Sequence, residues 1–382
     1  MKPQPPAEAR LAYVPALDGI RAIAISMVVI FHSGFHPTGG GYLGVDVFFV
    51  LSGFLITKLL VSEMARDGRV DLLRFYLRRA LRLYPVFLLV LACVALPAAA
   101  LWPGLPVRRQ ALLAGLYLTD YAQAMHYLPS PLTYTWSLAV EEHFYVLWPL
   151  ALPFVLRARE PIKVMLMLYL LAFMWRVFNL TTLGWWATYF RFDTRVSGIL
   201  LGCMLALMRT QAPPKYAGFV AFGVLLLVAA PPSWGLLFGL GLATPVAEVA
   251  AATLVLCAYH ASPEESRVLG WAPAAYVGKL SYGIYLWHAP VMYFFREGGY
   301  GLVVTLVAGG AISVALAALS YHLVERPVRA KGHAALARWA RVKAKPPADP
   351  VADASADAGL AADQGSSAAG MRATIDAVRP AR

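Results

Sequence analysis

Cysteine is almost missing. Cys93, Cys203 and Cys257 are the three thiols in 382 residues, and each stands alone in an apolar run. That scatter offers neither a disulfide framework nor a thiolate zinc site, and no metal is expected. Charge is scarce too. Only 14% of residues are charged against 59% hydrophobic, and acidic side chains number 21 against 33 basic ones, which points to lipid rather than water as the surroundings. Ten-residue segments of alternating polarity are absent, which excludes a transmembrane β-barrel. The sequence has no internal repeat, no Walker loop and no glycine-rich loop in a strand-to-helix setting. It also lacks a basic–aromatic recognition module, so nucleic acid is not an expected partner.

What the chain has is apolar length. Ten runs approach the roughly 20 residues needed to cross a bilayer. They cover about 15–34, 42–62, 82–102, 134–156, 162–180, 193–209, 215–231, 236–258, 276–296 and 300–323. A shorter run, 111–122, suits a re-entrant or interfacial helix. The expected fold is therefore an all-α polytopic membrane protein of about ten transmembrane helices around a polar cavity. Lys and Arg orient it. Arg66, Arg69, Arg74, Arg78, Arg79 and Arg82 follow the second run, with further clusters at Arg157 to Lys163, Arg209 to Lys215, and from Arg326 onward. With ten crossings these lie on the cytoplasmic side together with both termini, Arg108 and Arg109 being the exception. The net charge of +12 then reports insertion topology. The first run reads as a retained anchor, because it carries Arg21 and His32 and ends without a cleavage site. Three segments follow: 1–14 as a cytoplasmic N-terminal stretch, 15–330 as the membrane domain, and 331–382 as a cytoplasmic, largely disordered tail, rich in Ala, Pro, Asp and Ser from about residue 341.

Ionisable residues inside the apolar runs are costly, and they recur. In GIRAIAISMVVIFH, Arg21 and His32 are eleven residues apart, about three helical turns, so they share one face some 16 Å apart along the axis. Asp18 stands three residues before Arg21, within pairing reach. Asp46 enters the second run near its outer end. TWSLAVEEHFYVLWP carries Glu141, Glu142 and His143, and adjacent helical positions about 100° apart cannot both face one pocket. Asp193 and Arg195 open the sixth run, and Lys279, Tyr282, Tyr285 and His288 lie in the ninth. So many groups on separate helices call for a shared polar cavity. On chemistry alone that cavity fits a membrane enzyme or a transporter.

The ordered set Arg21 to His32, GVDVFFVLSGFLI, RRALRLYP, TWSLAVEEHFY, SYGIYLWHAPV and LVERP, spread over 15–330, resembles the acyltransferase-3 family of integral membrane acyltransferases. The resemblance implies a ten-helix fold and transfer of an acyl group, commonly acetyl from acetyl-CoA. The acceptor would be a hydroxyl of a glycan, a lipid-linked sugar or another molecule presented across a plasma or bacterial inner membrane. Some members append an extracytoplasmic hydrolase-like domain. The short stretch after the last run leads to the expectation that transfer finishes within the membrane domain, unless a separate partner takes over.

Carried residue by residue, the resemblance puts Arg79 and Arg82 at the donor end. Their i, i+3 spacing suits phosphate oxygens, and Arg21 adds a contact on the donor path. His32 becomes the general base for the acceptor hydroxyl. A carboxylate, Asp46 or Glu141, would orient its ring, with the resemblance favouring Glu141 as an active-site residue. A covalent acyl-histidine is the alternative route. Trp136, Tyr282 and His288 are the substrate-side positions. Ser52 reads as a packing residue beside Gly53, and Asp193 and Glu325 as ion-pair partners of nearby arginines. A transporter of a polar or glycan substrate is the competing function. It predicts broken helices in two repeated halves, which the sequence lacks.

Overall fold

The computed structural model describes residues 13–34, 39–127, 129–230 and 237–343. Helices follow one another as α1 (Pro15–His32), α2 (Gly44–Asp67), α3 (Leu72–Ala95), α4 (Val107–Gly115), α5 (Thr119–Met125), α6 (Trp136–Arg157) and α7 (Pro161–Thr182). The second half contains α8 (Ser197–Leu207), α9 (Ala217–Ala229), α10 (Thr244–Tyr259), α11 (Ala272–Glu297), α12 (Gly310–Ser320) and α13 (Arg326–Lys343). Among the described residues there is no strand.

Five helical stretches are long and apolar enough to cross a bilayer: Pro15–His32, Gly41–Asp67, Pro161–Thr182, Phe238–Tyr259 and Leu302–Trp339. The chain is a multi-pass helical membrane protein. The other five apolar runs are helical as well. Helices α3, α6 and α11 have 24, 22 and 26 residues and carry the polar positions discussed below, whereas α8 and α9 are shorter apolar helices. The run 111–122 divides between α4 and α5 at a turn where Tyr117 takes a positive φ of 54°.

Small residues let the central helices touch backbone to backbone. Helix α2 packs along α8, where a Cβ on Gly53 would lie 2.0 Å from the Ile199 carbonyl oxygen. Helix α1 packs along α11, where a Cβ on Gly278 would lie 1.9 Å from the Asp18 carbonyl oxygen. This second contact brings Arg21 and His32 against the polar face of α11.

The expected boundary at residue 330 falls inside a helix. α13 continues from the last apolar stretch and rests Gly332 on the Leu81 side chain of α3. Residues 1–12 and 344–382, which hold most of the expected terminal segments, lie outside the described residues, as do residues 35–38 between α1 and α2.

Candidate active site

Five helices wall a polar cavity in the middle of the bundle. α1 supplies Arg21, α2 Ser52, α3 Arg79 and Arg82, α6 Glu141, and α11 Tyr282. The cavity has about 760 Å³ of unfilled space, counting the part open to solvent. Beneath it lies a vestibule of about 1250 Å³ on the same measure, and Arg21, Arg79, Arg82, Ser281 and Tyr282 line both spaces. The three arginines therefore stand at the junction.

Sequence spacing explains how each wall forms. On α6, Ser137, Glu141 and Tyr145 recur every four residues and make one polar stripe toward the cavity, while Glu142 does not line it. On α11, Ser281 and Tyr285 form the matching stripe, and His288 continues it beyond the cavity. Arg21 donates from Nη1 to Asp18 at 2.7 Å, as the i, i+3 spacing predicts, and Tyr13 donates to the other oxygen of Asp18 at 2.8 Å. Among the described residues, no carboxylate pairs with Arg79 or Arg82. The Arg79 guanidinium lies over the rings of Phe75 and Tyr145, at 5.7 and 5.0 Å.

Glu141 accepts a short hydrogen bond from Ser52, whose oxygen in turn accepts from the Tyr145 hydroxyl at 3.1 Å. Ser52 is thus a member of the polar site as well as a small residue between helices. By sequence alone it reads as a packing residue; the signal for a polar role is its position inside the LSGF motif. Tyr282 lines both spaces and donates to the Leu83 carbonyl at 2.8 Å.

His32 stands beyond the deep end of the cavity, against His288. The hydrogen positions follow from the partners. A carbonyl only accepts, so Nδ1–H of His288 donates to the Tyr285 and Ile284 carbonyls, at 2.7 and 3.2 Å. Nε2 of His288 is then an acceptor and lies 3.3 Å from Nδ1 of His32, which also faces the Val28 carbonyl at 2.9 Å. Nδ1 of His32 therefore carries the proton and Nε2 its free lone pair. The ring is oriented by a carbonyl and a second imidazole.

The expected carboxylate orienter is not what the geometry supplies. Glu141 is engaged with Ser52. Asp46, fully buried, receives Nη2 of Arg195 at 2.9 and 3.0 Å. Its charge is committed to a guanidinium 149 positions away. Trp136 also takes a different place from the substrate side expected of it. It is buried, lines neither space, and lies 5.5 Å below the Arg195 guanidinium. Asp193 pairs with Arg191 through Nε at 3.0 Å, and Glu325 with Arg329 at 3.1 Å, as their proximity in sequence suggests.

The shared polar cavity expected from the sequence stops short of His32. Tyr285 bonds to Ser137 and donates to the Tyr134 carbonyl at 3.1 Å, closing the cavity one turn below His288. Neither histidine lines the open space. This closure depends on helices 148 residues apart, and no local pattern announces it.

The acyltransferase domain of the acyltransferase-3 family matches residues 14–322. YrhL of Bacillus subtilis, named for peptidoglycan O-acetylation, is 33% identical over 371 residues, covering 85% of this chain and 56% of its own. The O-acetyltransferase OatA of Staphylococcus aureus is 32% identical over 358 residues, 85% of this chain and 58% of its own. The peptidoglycan O-acetyltransferase OatA of Listeria monocytogenes is 29% identical, covering 84% and 56%. The chain thus spans a little over half the length of these relatives. No solved structure matches it significantly. With the family domain covering all the cavity-lining helices, the chain belongs to the acyltransferase-3 family of membrane acyltransferases.

Proposed function

We propose that the protein is a membrane O-acetyltransferase that takes acetyl from acetyl-CoA on the cytoplasmic side and transfers it to a glycan hydroxyl. The observation that carries this reading is the junction of Arg21, Arg79 and Arg82 between two connected spaces, with no carboxylate on Arg79 or Arg82 among the described residues. Unpaired guanidiniums around unfilled space suit a phosphorylated donor. Ten crossings, with both termini inside, put that junction near the cytoplasmic face.

The chemistry follows from the His32 tautomer. With its Nδ1–H held by the Val28 carbonyl and His288, Nε2 accepts the proton of the acceptor hydroxyl as that oxygen attacks the thioester carbonyl. The tetrahedral intermediate then expels the CoA thiolate, and the imidazolium returns the proton to the sulfur. Tyr285 must leave Ser137 for the thioester to reach this ring. Glu141, tied through Ser52 to Tyr145, serves the cavity wall below. The relatives' names make a peptidoglycan sugar the favoured acceptor and disfavour the transporter reading.

The test is purified protein in lipid nanodiscs with radiolabelled acetyl-CoA and soluble peptidoglycan fragments. The expected result is labelled ester on the glycan, lost in His32→Ala while the protein stays folded. Labelled ester formed equally well by His32→Ala would remove His32 from the role of base. Failure of wild-type protein to consume acetyl-CoA, alone or with acceptor, would remove the donor assignment.

A further inference from the structure

The vestibule has two tiers of cations, and the outer tier draws on a helix beyond the family domain. The inner tier, Arg21, Arg79 and Arg82, faces both spaces. The outer tier faces the vestibule alone: Lys279 from α11 and Arg329 from α13, beside Arg78 of α3, which is already paired with Glu63 at 3.0 Å. Arg329 lies after residue 322, where the matched domain ends, and reaches the vestibule because Gly332 seats α13 on Leu81 of α3. The vestibule's carboxylates are already committed. Asp18 holds Arg21 at 2.7 Å, and Glu325 holds one nitrogen of Arg329 at 3.1 Å, which engages one of the five donors of that guanidinium.

Resting on the acetyl-CoA reading above, we infer that Arg329 and Lys279 form a second phosphate subsite, which takes the 3′-phosphate on the ribose of CoA. The argument is one of order along the donor. From the thioester outward, CoA carries the pantetheine arm, the diphosphate, and then the phosphorylated ribose. Arg21 lies about 16 Å from the level of His32 along α1, a span of the same order as an extended pantetheine arm. A thioester at His32 therefore sets the diphosphate at the inner tier. The ribose phosphate falls one step further out, at the tier that α13 completes.

The experiment compares CoA with dephospho-CoA, which lacks only the 3′-phosphate, by calorimetric binding to the full chain in nanodiscs. Wild type is expected to bind CoA at least tenfold tighter. Arg329→Ala should weaken CoA severalfold and leave dephospho-CoA unchanged, with Arg329→Lys restoring part of the difference. Arg82→Ala should weaken both nucleotides alike. Lys279→Ala, on the other wall, repeats the test should loss of the Arg329–Glu325 pair unseat α13. Equal loss of both nucleotides in the outer-tier variants, no loss of either, or a wild type blind to the 3′-phosphate would overturn the subsite while leaving the donor reading intact. A wild type that binds neither nucleotide would overturn the donor reading itself, and the subsite with it.

Discussion

Two polar regions are buried in this bundle, and they are built differently. Around α8, each arginine meets a carboxylate from another helix: Arg195 holds Asp46 at 2.9 Å and Arg176 holds Glu248 at 3.0 Å. All four side chains are essentially dry. The remaining guanidinium nitrogens lack hydrogen-bond partners among the described residues and lie near aromatic rings, Tyr189 at 5.0 Å from Arg195 and Phe173 at 5.7 Å from Arg176. Around α3, the guanidiniums of Arg79 and Arg82 border unfilled space and pair with no carboxylate among the described residues. Charge matched inside a filled site ties helices together. Charge unmatched beside a void is useful only when an anion arrives. The same residue type is a structural tie in one place and, on the function proposed above, a ligand contact in the other.

Substitutions can break or sharpen that contrast, the largest effect first. His32→Ala should lower acetyl transfer about 10²–10⁴-fold, the usual contribution of a positioned base. Its unfolding midpoint in detergent should hold, because the ring ties no buried charge. Arg195→Met should do the reverse. It strands Asp46 without a partner, at a cost of about 3–5 kcal/mol in stability. That loss is read from thermal unfolding, and CoA affinity of the folded fraction should stay unchanged. Pairing it with Asp46→Leu should recover most of the loss, since a buried pair replaced whole is close to neutral. Arg82→Ala should weaken CoA binding about tenfold or more, through loss of charge-assisted hydrogen bonds worth about 1.5–3 kcal/mol, with little change in stability. An Arg82 variant that unfolds, or an Arg195 variant that loses only affinity, would erase the distinction between the two regions. Ser52→Ala removes a single neutral donor from Glu141 and should lower kcat about two- to tenfold, the equivalent of roughly 0.5–1.5 kcal/mol. Its KM for the donor should barely move.

Much of this is legible in the amino-acid sequence alone. Apolar runs give the helical class because lipid leaves the backbone no other partner. The face shared by Arg21 and His32, and the i, i+3 pair of Arg79 and Arg82, follow from helical periodicity. The stripe Ser137, Glu141, Tyr145 is equally readable by period, its middle member being the one carboxylate. What sequence could not supply was choice among partners. Asp46 and Glu141 reach similar depths, and nothing local says that one goes to Arg195 and the other to Ser52. Nor does spacing say that His288 would be the neighbour of His32, a contact between positions 256 apart. The segment after residue 330 reads as polar tail by composition. It is held as a helix at least to Lys343, with the missing side chain of Gly332 letting it settle on α3.

The contact between Gly278 and the Asp18 backbone leaves no gap for a methyl group. Helices α1 and α11 are consequently clamped into a single rigid bar with Arg21 and Lys279 toward one end and the two imidazoles toward the other. The separation of those ends is set within this one helix pair, so the bar acts as a caliper. On the function proposed above, a carrier whose arm is too short or too long for that gauge would not hold its charged head and deliver its cargo at the same time.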